Sequence, residues 1–362
     1  SLKRGDVRRV FENFVFHGAT EEILVDAHPH IGTNKLPKIV ENIRETILKY
    51  GGEIHFESRV MDFIIKDHKL KAIKLKNDKE MPVEALILAT GHSARDIYYL
   101  LYRKNISLKA KSFAMGVRVE HPQQIIDSIQ YHCEDQRNEL LPPASYSLVH
   151  QVNERGVYSF CMCPGGFIVP AATSPGEVVV NGMSPSKRNS KFANSGIVVE
   201  INAEKDLYKY EQFGVLKGLE FQKDLEKLAF LAGGKTQAAP AQRLTDFVEG
   251  RLSSSLNETS YQPGLKSAPL HSLLPKIIGG RLRTGFMEFG KKMKGFYTEE
   301  ANVVGVESRT SSPVNIPRKE NLEHPEIAGL FPCGEGGGYA GGIVSAAMDG
   351  ERCAEAAIKM LQ

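Results

Sequence analysis

The sequence has 362 residues, of which 41% are apolar and 25% are charged. These proportions are typical of soluble globular proteins and exclude the collagen-like, coiled-coil and disordered classes, and the length predicts about two domains. The 46 basic and 43 acidic side chains form no block of like charge, so no nucleic-acid partner is predicted. The longest apolar runs, such as 85–89, are far shorter than the ~18 residues of a membrane span, and residues 1–4 begin no signal peptide. The sequence therefore predicts a cytoplasmic protein without a membrane partner.

Helical spacing of apolar residues marks two helices in the first fifty residues. The first is predicted over 6–17 and the second over 35–50, with Thr33 or Asn34 as the N-cap of the second. Gly18 and Gly51-Gly52 supply the helix stops. The face of the second helix that we expect to be buried carries Leu36, Ile39, Val40, Ile43 and Ile47.

Strand patterns follow. Alternating apolar and polar residues predict strands over 53–58, 60–66 and 69–76, with a turn at Asp67-His68. The continuous apolar run 83–89 is typical of a strand covered on both faces of a parallel sheet. A weak capping-box pattern from Ser93 to Asp96 predicts a helix after it.

From about Phe113 the pattern changes to short strands separated by Pro-, Gly- and Ser-rich turns. Strands are predicted over 113–120, 146–152, 157–163, 176–181 and 196–201. Helical stretches over 214–231 and 282–296 follow. The last segment returns to the first pattern, with strands at 302–307 and 327–333 and a closing helix over 342–361. We therefore predict a discontinuous α/β domain, 1–112 plus 300–362, interrupted by a mostly-β cap, 113–299.

The segment 334–342 is rich in glycine and lies between a strand and the closing helix. Six glycines in nine residues allow a ligand to approach the backbone, and the free N–H groups of a helix N-terminus attract anions or electron-rich oxygens. Counted from Gly334, the spacing is not the G-x-G-x-x-G of a first nucleotide-binding turn, because the sixth position is Tyr339. A tight packing turn between strand and helix is the alternative interpretation.

The segments 330–336 and 339–342 resemble the last flavin-contacting motif of glutathione-reductase-type FAD proteins, and specifically an uncharacterised bacterial family of FAD-dependent dehydrogenases. The resemblance covers nearly the whole chain. Further motifs match in the same order: Pro29–Thr33, Ile87–Gly91, Cys161–Gly166, Asn181–Ser184 and Glu307–Pro313. The resemblance implies a glutathione-reductase-like FAD-binding domain, a three-layer Rossmann-type fold. Members of the family begin with a strand and a G-x-G-x-x-G turn that binds the pyrophosphate of FAD, and no such strand and turn precede Arg4 in this sequence. We therefore expect an incomplete FAD domain that binds FAD weakly or not at all.

The resemblance also implies cofactor-binding residues. Glu335 would accept a hydrogen bond from a hydroxyl of the ribityl chain or near the pyrophosphate, and the backbone of Gly341, Gly342 and Ile343 would face the flavin pyrimidine edge. Gly334 and Gly336 belong to the same loop. Thr90 and Gly91 would lie beside the ADP half of FAD. A helix-entry carboxylate at Glu335 and an ordinary strand end at Thr90-Gly91 are the alternatives.

Arg309 and His30 are the candidate catalytic residues. An Arg following the 302–307 strand, which we expect to return to the flavin domain, could bind a substrate carboxylate at two points. His30 precedes the second helix and could transfer a proton during substrate oxidation. The alternatives are a salt-bridged loop arginine and a loop histidine.

The five cysteines are an odd number, which predicts reduced thiols rather than a disulfide framework. Cys161 and Cys163 lack the C-x-x-C spacing of a zinc site, and no metal is predicted. On an extended strand both side chains would point to the same face. A redox role beside the flavin remains an alternative, although a disulfide between residues i and i+2 of an extended strand has poor geometry.

The resemblance thus implies an FAD-dependent oxidoreductase that transfers hydride through the flavin N5 to or from a small-molecule substrate. No motif identifies that substrate, and NAD(P)H is a candidate electron donor. Two alternatives remain open: a protein that binds FAD or a nucleotide without turnover, and a scaffold fragment that binds no cofactor. No motif indicates an oligomeric state.

Overall fold

The computed structural model describes residues 6–134 and 136–362, and it has a mixed α/β fold with one large sheet. Residues 1–4, where no signal-peptide pattern was found, lie outside the described residues. Ten helices are described: α1 Val7–Phe16, α2 Leu36–Lys49, α3 Arg95–Arg103, α4 Gln123–Tyr131, α5 Lys217–Ala232, α6 Leu244–Glu249, α7 Leu270–Leu273, α8 Lys276–Lys292, α9 Gly334–Gly337 and α10 Ile343–Leu361. In this part of the chain no helix combines the length and hydropathy that a membrane span requires.

The strands fall into one large sheet and several small ones. They are β1 Val60–Lys66, β2 Lys69–Leu75, β3 Glu80–Pro82, β4 Leu86–Leu88, β5 Lys109–Ala110, β6 Phe113–Pro122, β7 Val149–Val152, β8 Arg155–Cys163, β9 Phe167–Pro170, β10 Val180–Met183, β11 Phe192–Ile201, β12 Ala239–Arg243, β13 Leu265–Ser267, β14 Asn302–Glu307, β15 Val314–Asn315 and β16 Leu330–Pro332. Segments of 3₁₀-helix type cover Glu21–Leu24 and Tyr208–Leu216.

The large sheet has seven strands in the order β13-β12-β14-β6-β11-β8-β7. Only β12 and β13 pair in parallel, and the other neighbours are antiparallel. Its long strands β6 and β11 are almost wholly buried, because α8 packs against one part of the sheet and the β9-β10 hairpin contacts another. The main hydrophobic core of the protein therefore lies on this sheet.

The segments before β6 and after β14 form smaller sheets beside the large sheet. The three antiparallel strands β1, β2 and β3 form one sheet, and β4 pairs in parallel with β16. Asp67 and His68 form the predicted turn between β1 and β2, both with positive φ. The predicted helices at 6–17, 35–50 and 342–361 are confirmed as α1, α2 and α10.

Several predictions about local structure are wrong. The segment 53–58 forms no strand, and only Leu88 of β4 is buried. In α2 only Ile39 is buried, whereas Val40 and Ile47 are 58% and 43% exposed. The N-cap of α2 is Lys35, because Thr33 instead donates its hydroxyl to the carbonyl of Ser184 (3.2 Å).

The position of β14 is a further correction. We expected strand 302–307 to return to the flavin domain, but β14 lies inside the large sheet between β12 and β6. All six of its residues are buried, which is the environment of a central strand covered on both faces. Arg309 therefore follows a strand of the large sheet.

Candidate functional site

The parallel pair β4-β16 brings two distant turns together. Leu86 pairs with Leu330 and Leu88 with Pro332, and the amide of Cys333 continues the pairing by donating to the carbonyl of Leu88 (3.1 Å). In a parallel pair the carboxyl ends of both strands lie at the same edge, which is where ligands bind in open α/β sheets. The Thr90-Gly91 turn and the glycine-rich segment thus lie side by side.

Gly91 and Gly336 touch through their backbones. A Cβ atom on Gly336 would lie 2.7 Å from the carbonyl oxygen of Gly91. The buried hydroxyl of Tyr98, on α3, donates to the carbonyl of Gly336 (2.8 Å) and contacts the hydroxyl of Ser312 (3.0 Å). The loop is therefore fixed from two sides. Gly336 was predicted as a cofactor residue, and in the structure it is also a packing residue.

Glu335 lies in the first turn of α9 and contacts a histidine. Its Oε2 is 3.1 Å from Nδ1 of His92, and the Glu335 side chain is 30% exposed. A half-exposed carboxylate with one histidine partner keeps lone pairs that can accept further hydrogen bonds. His92 was missed at the sequence level, although its position directly after Gly91 is the signal that could have identified it.

A buried ion pair supports the start of the glycine loop. Asp349 on α10 accepts a hydrogen bond from the amide of Gly334 (2.8 Å) and pairs with both terminal nitrogens of Arg318 (2.6 and 2.9 Å). The Arg318 guanidinium lies 3.6 Å from the centre of the Tyr339 ring. Burial raises the pKa of Asp349, but the hydrogen bonds from Arg318 and Gly334 outweigh this effect and keep the pKa below its usual value.

Gly341 and Gly342 have open space where a side chain would be. A Cβ atom on either residue would meet no heavy atom within 4 Å. Both precede α10, whose 19 residues begin at Ile343. The amide of Gly341 donates to the hydroxyl of Ser345 (3.2 Å). Open space thus lies beside the start of a long helix, where the first N–H groups have no intrahelical partner.

The loop borders two cavities. The first, which we call the apolar cavity, has a volume of about 330 Å³ and contains Ile343, His30 and the segments Cys161–Pro164 and Gly182–Ser184 on its wall. The second, which we call the basic cavity, has a volume of about 400 Å³ and is lined by Gly341, Lys111, Arg318, Arg352 and Asp349.

Lys111 gives the basic cavity an unneutralised charge. Burial lowers the pKa of Lys111, and within the described residues no carboxylate pairs with its ammonium group. Asp349 faces Arg318 and, at 3.9 Å, Arg352. Three cations against one carboxylate make this cavity suitable for an anionic group.

His30 lies on the wall of the apolar cavity, as does Ile343. Its Nε2 is 3.1 Å from the carbonyl of Pro185. Burial, followed by the positive charge of Arg188, lowers the pKa of His30 although the Pro185 carbonyl partly opposes this. The structure thus brings one predicted catalytic residue and one predicted cofactor residue to the same cavity.

Arg309 lies in a buried cluster of charges. Its guanidinium binds Glu226 (2.9 Å) and Glu177 (3.3 Å), both of which also bind Arg95. The Arg309 side chain is only 7% exposed, and a further hydrogen bond connects it to the hydroxyl of Ser93 (3.1 Å). These contacts match the alternative interpretation of Arg309 as a salt-bridged loop arginine. Because Ser93 is two residues from Gly91, the cluster nevertheless lies close to the glycine loop.

The predicted site residues therefore fall into four groups. Thr90, Gly91, Gly334, Glu335 and Gly336 lie together at the edge of the β4-β16 pair. Gly341 and Gly342 lie between that edge and α10, where Gly341 lines the basic cavity. His30 and Ile343 face the apolar cavity, and Arg309 belongs to the charge cluster.

Comparison with family models identifies an FAD-dependent family. The family model described as "FAD-dependent protein, C-terminal domain-like" matches residues 112–310. An uncharacterised protein of Clostridium beijerinckii is 44% identical over 350 residues, which are 96% of this chain and 64% of that protein. The chain thus spans less than two thirds of the length of this relative.

Among solved structures, that of tetracycline destructase Tet(51) aligns with 72% of this chain and 60% of its own chain, at 10% identity and a TM-score of 0.24. This similarity is too low to indicate a shared fold. The family model, by contrast, covers more than half of the chain, and the chain therefore belongs to the family of FAD-dependent proteins with this C-terminal-domain-like region.

Proposed function

We propose that the protein is an FAD-dependent oxidoreductase of the glutathione-reductase-like class, in which the glycine loop 334–342 contacts the flavin. Membership of the FAD-dependent family supports binding of the cofactor. The observation that carries the location is the open space beside Gly341 and Gly342 at the start of α10. We also propose a division into a flavin domain and a cap, with one change from the predicted boundaries 1–112 plus 300–362 and 113–299. Because β14 pairs with β12 and β6, Asn302–Glu307 belongs with the cap.

The chemistry of the two cavities fits a molecule with both apolar and anionic parts. The apolar cavity offers Ile343, Met162 and Phe14 to a flat ring system. The basic cavity offers the unpaired ammonium of Lys111 to an anionic oxygen. A flavin nucleotide carries both kinds of group. The glycine loop lies between the two cavities, since Gly341 lines the basic cavity and Ile343 lines the apolar cavity.

The protein residues would have distinct roles. Glu335 accepts a hydrogen bond from a sugar or ribityl hydroxyl, because its oxygens are not saturated by His92. The N–H groups at the start of α10 stabilise negative charge on the bound group. His30 is neutral at pH 7, since its pKa is lowered, and a neutral imidazole can accept a proton from a donor substrate.

When bound, FAD supplies hydride transfer at its N5 atom. The chain supplies the cavity that holds the ring and excludes water. We propose a small molecule as the substrate, with NAD(P)H as the first electron donor to be tried.

The visible absorption spectrum of the full-length protein tests this proposal. We expect a yellow protein that releases FAD on denaturation and whose flavin band bleaches anaerobically with at least one donor. A yellow protein that no donor reduces would identify a binding protein without turnover. A colourless full-length protein that does not take up added FAD would overturn the proposal.

A further inference from the structure

Two cysteines on the wall of the apolar cavity have unequal exposure. Cys161 is exposed and Cys163 is buried. The strand β8 is not regularly extended here: Phe160 pairs with Gly196 and Cys163 with Asn194, so that Cys161 and Met162 together oppose one residue of β11. This is a β-bulge, and Cys161 has the left-handed φ of 48°. The poor geometry of a disulfide between residues i and i+2 of an extended strand therefore does not argue against a disulfide here.

A buried arginine lies behind the two thiols. Arg118 is fully buried, and its Nε binds Glu307 (2.8 Å). Its Nη1 donates to the side-chain oxygen of Asn194 (2.6 Å) and approaches the sulfur of Cys163 (3.9 Å). Among the described residues its Nη2 has no hydrogen-bond partner. A buried donor without a partner is costly, and the other terminal nitrogen of the same guanidinium, Nη1, lies against Cys163.

Gly182 makes room for this arrangement. It lines the apolar cavity, and a Cβ atom on it would lie 1.9 Å from Nη1 of Arg118. The arginine thus reaches the cavity wall because the residue in front of it has no side chain. The position requires glycine for close approach rather than for its backbone angles.

The two thiols differ in acidity. A hydrogen bond from Cys163 and the charge of Arg118 lower the pKa of Cys161 to about 6, although burial opposes this. The hydrogen bond to Cys161, together with burial, raises the pKa of Cys163. The Cys163 thiol donates to the backbone carbonyl of Cys161 (3.3 Å), so Cys161 is the more acidic thiol and Cys163 the one that holds its proton. The thiols of Cys333 and Cys353 are buried and do not line this cavity.

We propose that Cys161 and Cys163 form a thiol–disulfide exchange centre that takes small disulfides as substrates. Cys161 is the attacking residue, since it is exposed to the cavity, and Cys163 is the resolving residue. Full extension would separate the Cα atoms of residues i and i+2 by about 6.6 Å, and the bulge at Cys161 departs from that extension. The separation therefore lies within the Cα distance of up to about 6.8 Å that a disulfide bridges. This function goes beyond the flavin chemistry and does not require a bound cofactor.

The exchange takes place in two balanced steps. The Cys161 thiolate attacks one sulfur of a disulfide R–S–S–R, the S–S bond breaks, and R–S⁻ leaves. The sulfur of Cys163 then attacks Cys161, forming the Cys161–Cys163 disulfide and releasing a second R–S group, which takes the Cys163 proton. The protein loses two electrons and R–S–S–R gains them. Arg118, whose Nη1 lies 3.9 Å from the Cys163 sulfur, favours the Cys163 thiolate that makes this second attack.

Glutathione disulfide is the probe, and it is used on the 362-residue chain without added FAD. We expect two glutathione molecules released per chain and a peptide 156–187, which contains only these two cysteines, that has lost two hydrogens. Cys163→Ser should stop at one released glutathione and keep the other on Cys161. Cys161→Ser should not react, and Cys133→Ser, the matched control, should behave as the parent chain.

Alkylation by iodoacetamide at pH 6 gives a second readout. The greater thiolate fraction of Cys161 outweighs its lower intrinsic nucleophilicity, so it should react about tenfold faster than Cys133. Equal rates at the two residues, or a parent chain that keeps one glutathione on Cys161, would overturn the proposal. If the full-length protein takes up no FAD but the exchange still occurs, the flavin proposal fails and this centre is supported.

Discussion

Gly336 lies against Gly91 so closely that a Cβ atom on Gly336 would come within 2.7 Å of the Gly91 carbonyl oxygen and 2.9 Å of its carbonyl carbon. Both contacts are with backbone, which cannot rotate away. The two turns at the ends of β4 and β16 are therefore packed as one unit, and this unit fixes the position of Glu335 beside His92.

Gly336→Ala should destabilise the protein by about 2 kcal/mol, because the added methyl group forces the two backbones apart. Urea unfolding followed by circular dichroism measures the loss. Gly341→Ala is the control, since its Cβ meets nothing within 4 Å, and its free energy of unfolding should stay within about 0.5 kcal/mol of the parent. Equal stability of the two variants would show that the turns are not tightly packed.

Gly342→Val should remove FAD from the full-length protein without unfolding it. The valine side chain fills the open space beside the start of α10, and the φ of 171° at Gly342 is extended backbone that valine adopts readily. Flavin absorbance per protein chain is the measurement. Gly280→Val, at another exposed glycine with free space, should retain FAD, and normal flavin content in both variants would show that the loop only packs.

Arg309→Lys should lower the free energy of unfolding by about 1–3 kcal/mol, because one ammonium group cannot replace the several hydrogen bonds of the guanidinium to Glu226 and Glu177. Thermal or urea unfolding measures the change. Arg8→Lys, at an exposed ion pair, should have almost no effect. A stable Arg309→Lys variant would show that the buried charge cluster tolerates a lysine.

The same variant tests the role of Arg309 toward a substrate. If Arg309 orients an anionic electron donor, Arg309→Lys should keep FAD bound but slow flavin reduction about ten- to a hundredfold. Stopped-flow measurement of flavin reduction separates the two effects. An unchanged rate with every donor would leave Arg309 with the ion-pair role alone.

Stability should fall between pH 7 and pH 4, in part because of His121. Its Nε2 donates to the carbonyl of Phe296 (2.8 Å), and burial lowers its pKa from 6.5 to about 4. Between these values the unfolded chain binds a proton that the folded protein does not, so the free energy of unfolding decreases as the pH falls, by about 3 kcal/mol in total. Urea unfolding at several pH values measures this slope.

His121→Gln keeps a donor for Phe296 but does not titrate. Its stability should depend less steeply on pH in the same window, while the lowered pKa values of His30, His271 and His324 leave part of the slope in both proteins. Parallel pH profiles for the parent and the variant would contradict the assignment to His121.

Local signals in the sequence predicted α10, β16 and the glycine loop correctly, because a strand, a run of glycines and an amphipathic helix follow one another directly. The buried face of α2 was wrong at Val40 and Ile47, since helical spacing indicates a face but not whether another element covers it. The N-cap was wrong because Thr33 binds the distant Ser184 instead. Contacts between segments far apart in the chain decided both cases.

The same limit explains what was missed in the site. Lys111, Tyr98 and His92 reach the glycine loop from elements that share no motif with it. The place of β14 in the large sheet depends on its pairing with β6 and β12, which the residues of β14 do not encode. The resemblance found the loop residues, and the structure added the groups around them.

The pairing of β4 with β16 also has a consequence for biosynthesis. Within the described residues β4 hydrogen-bonds only to β16, a strand that leaves the ribosome only after residues 89–329 have been made. Until then the edge of β4 has no partner, and an unpaired strand edge promotes association with other chains. We therefore expect nascent chains that stop before Leu330 to require chaperone binding at Leu86–Leu88, and chains that include α10 to be released from it.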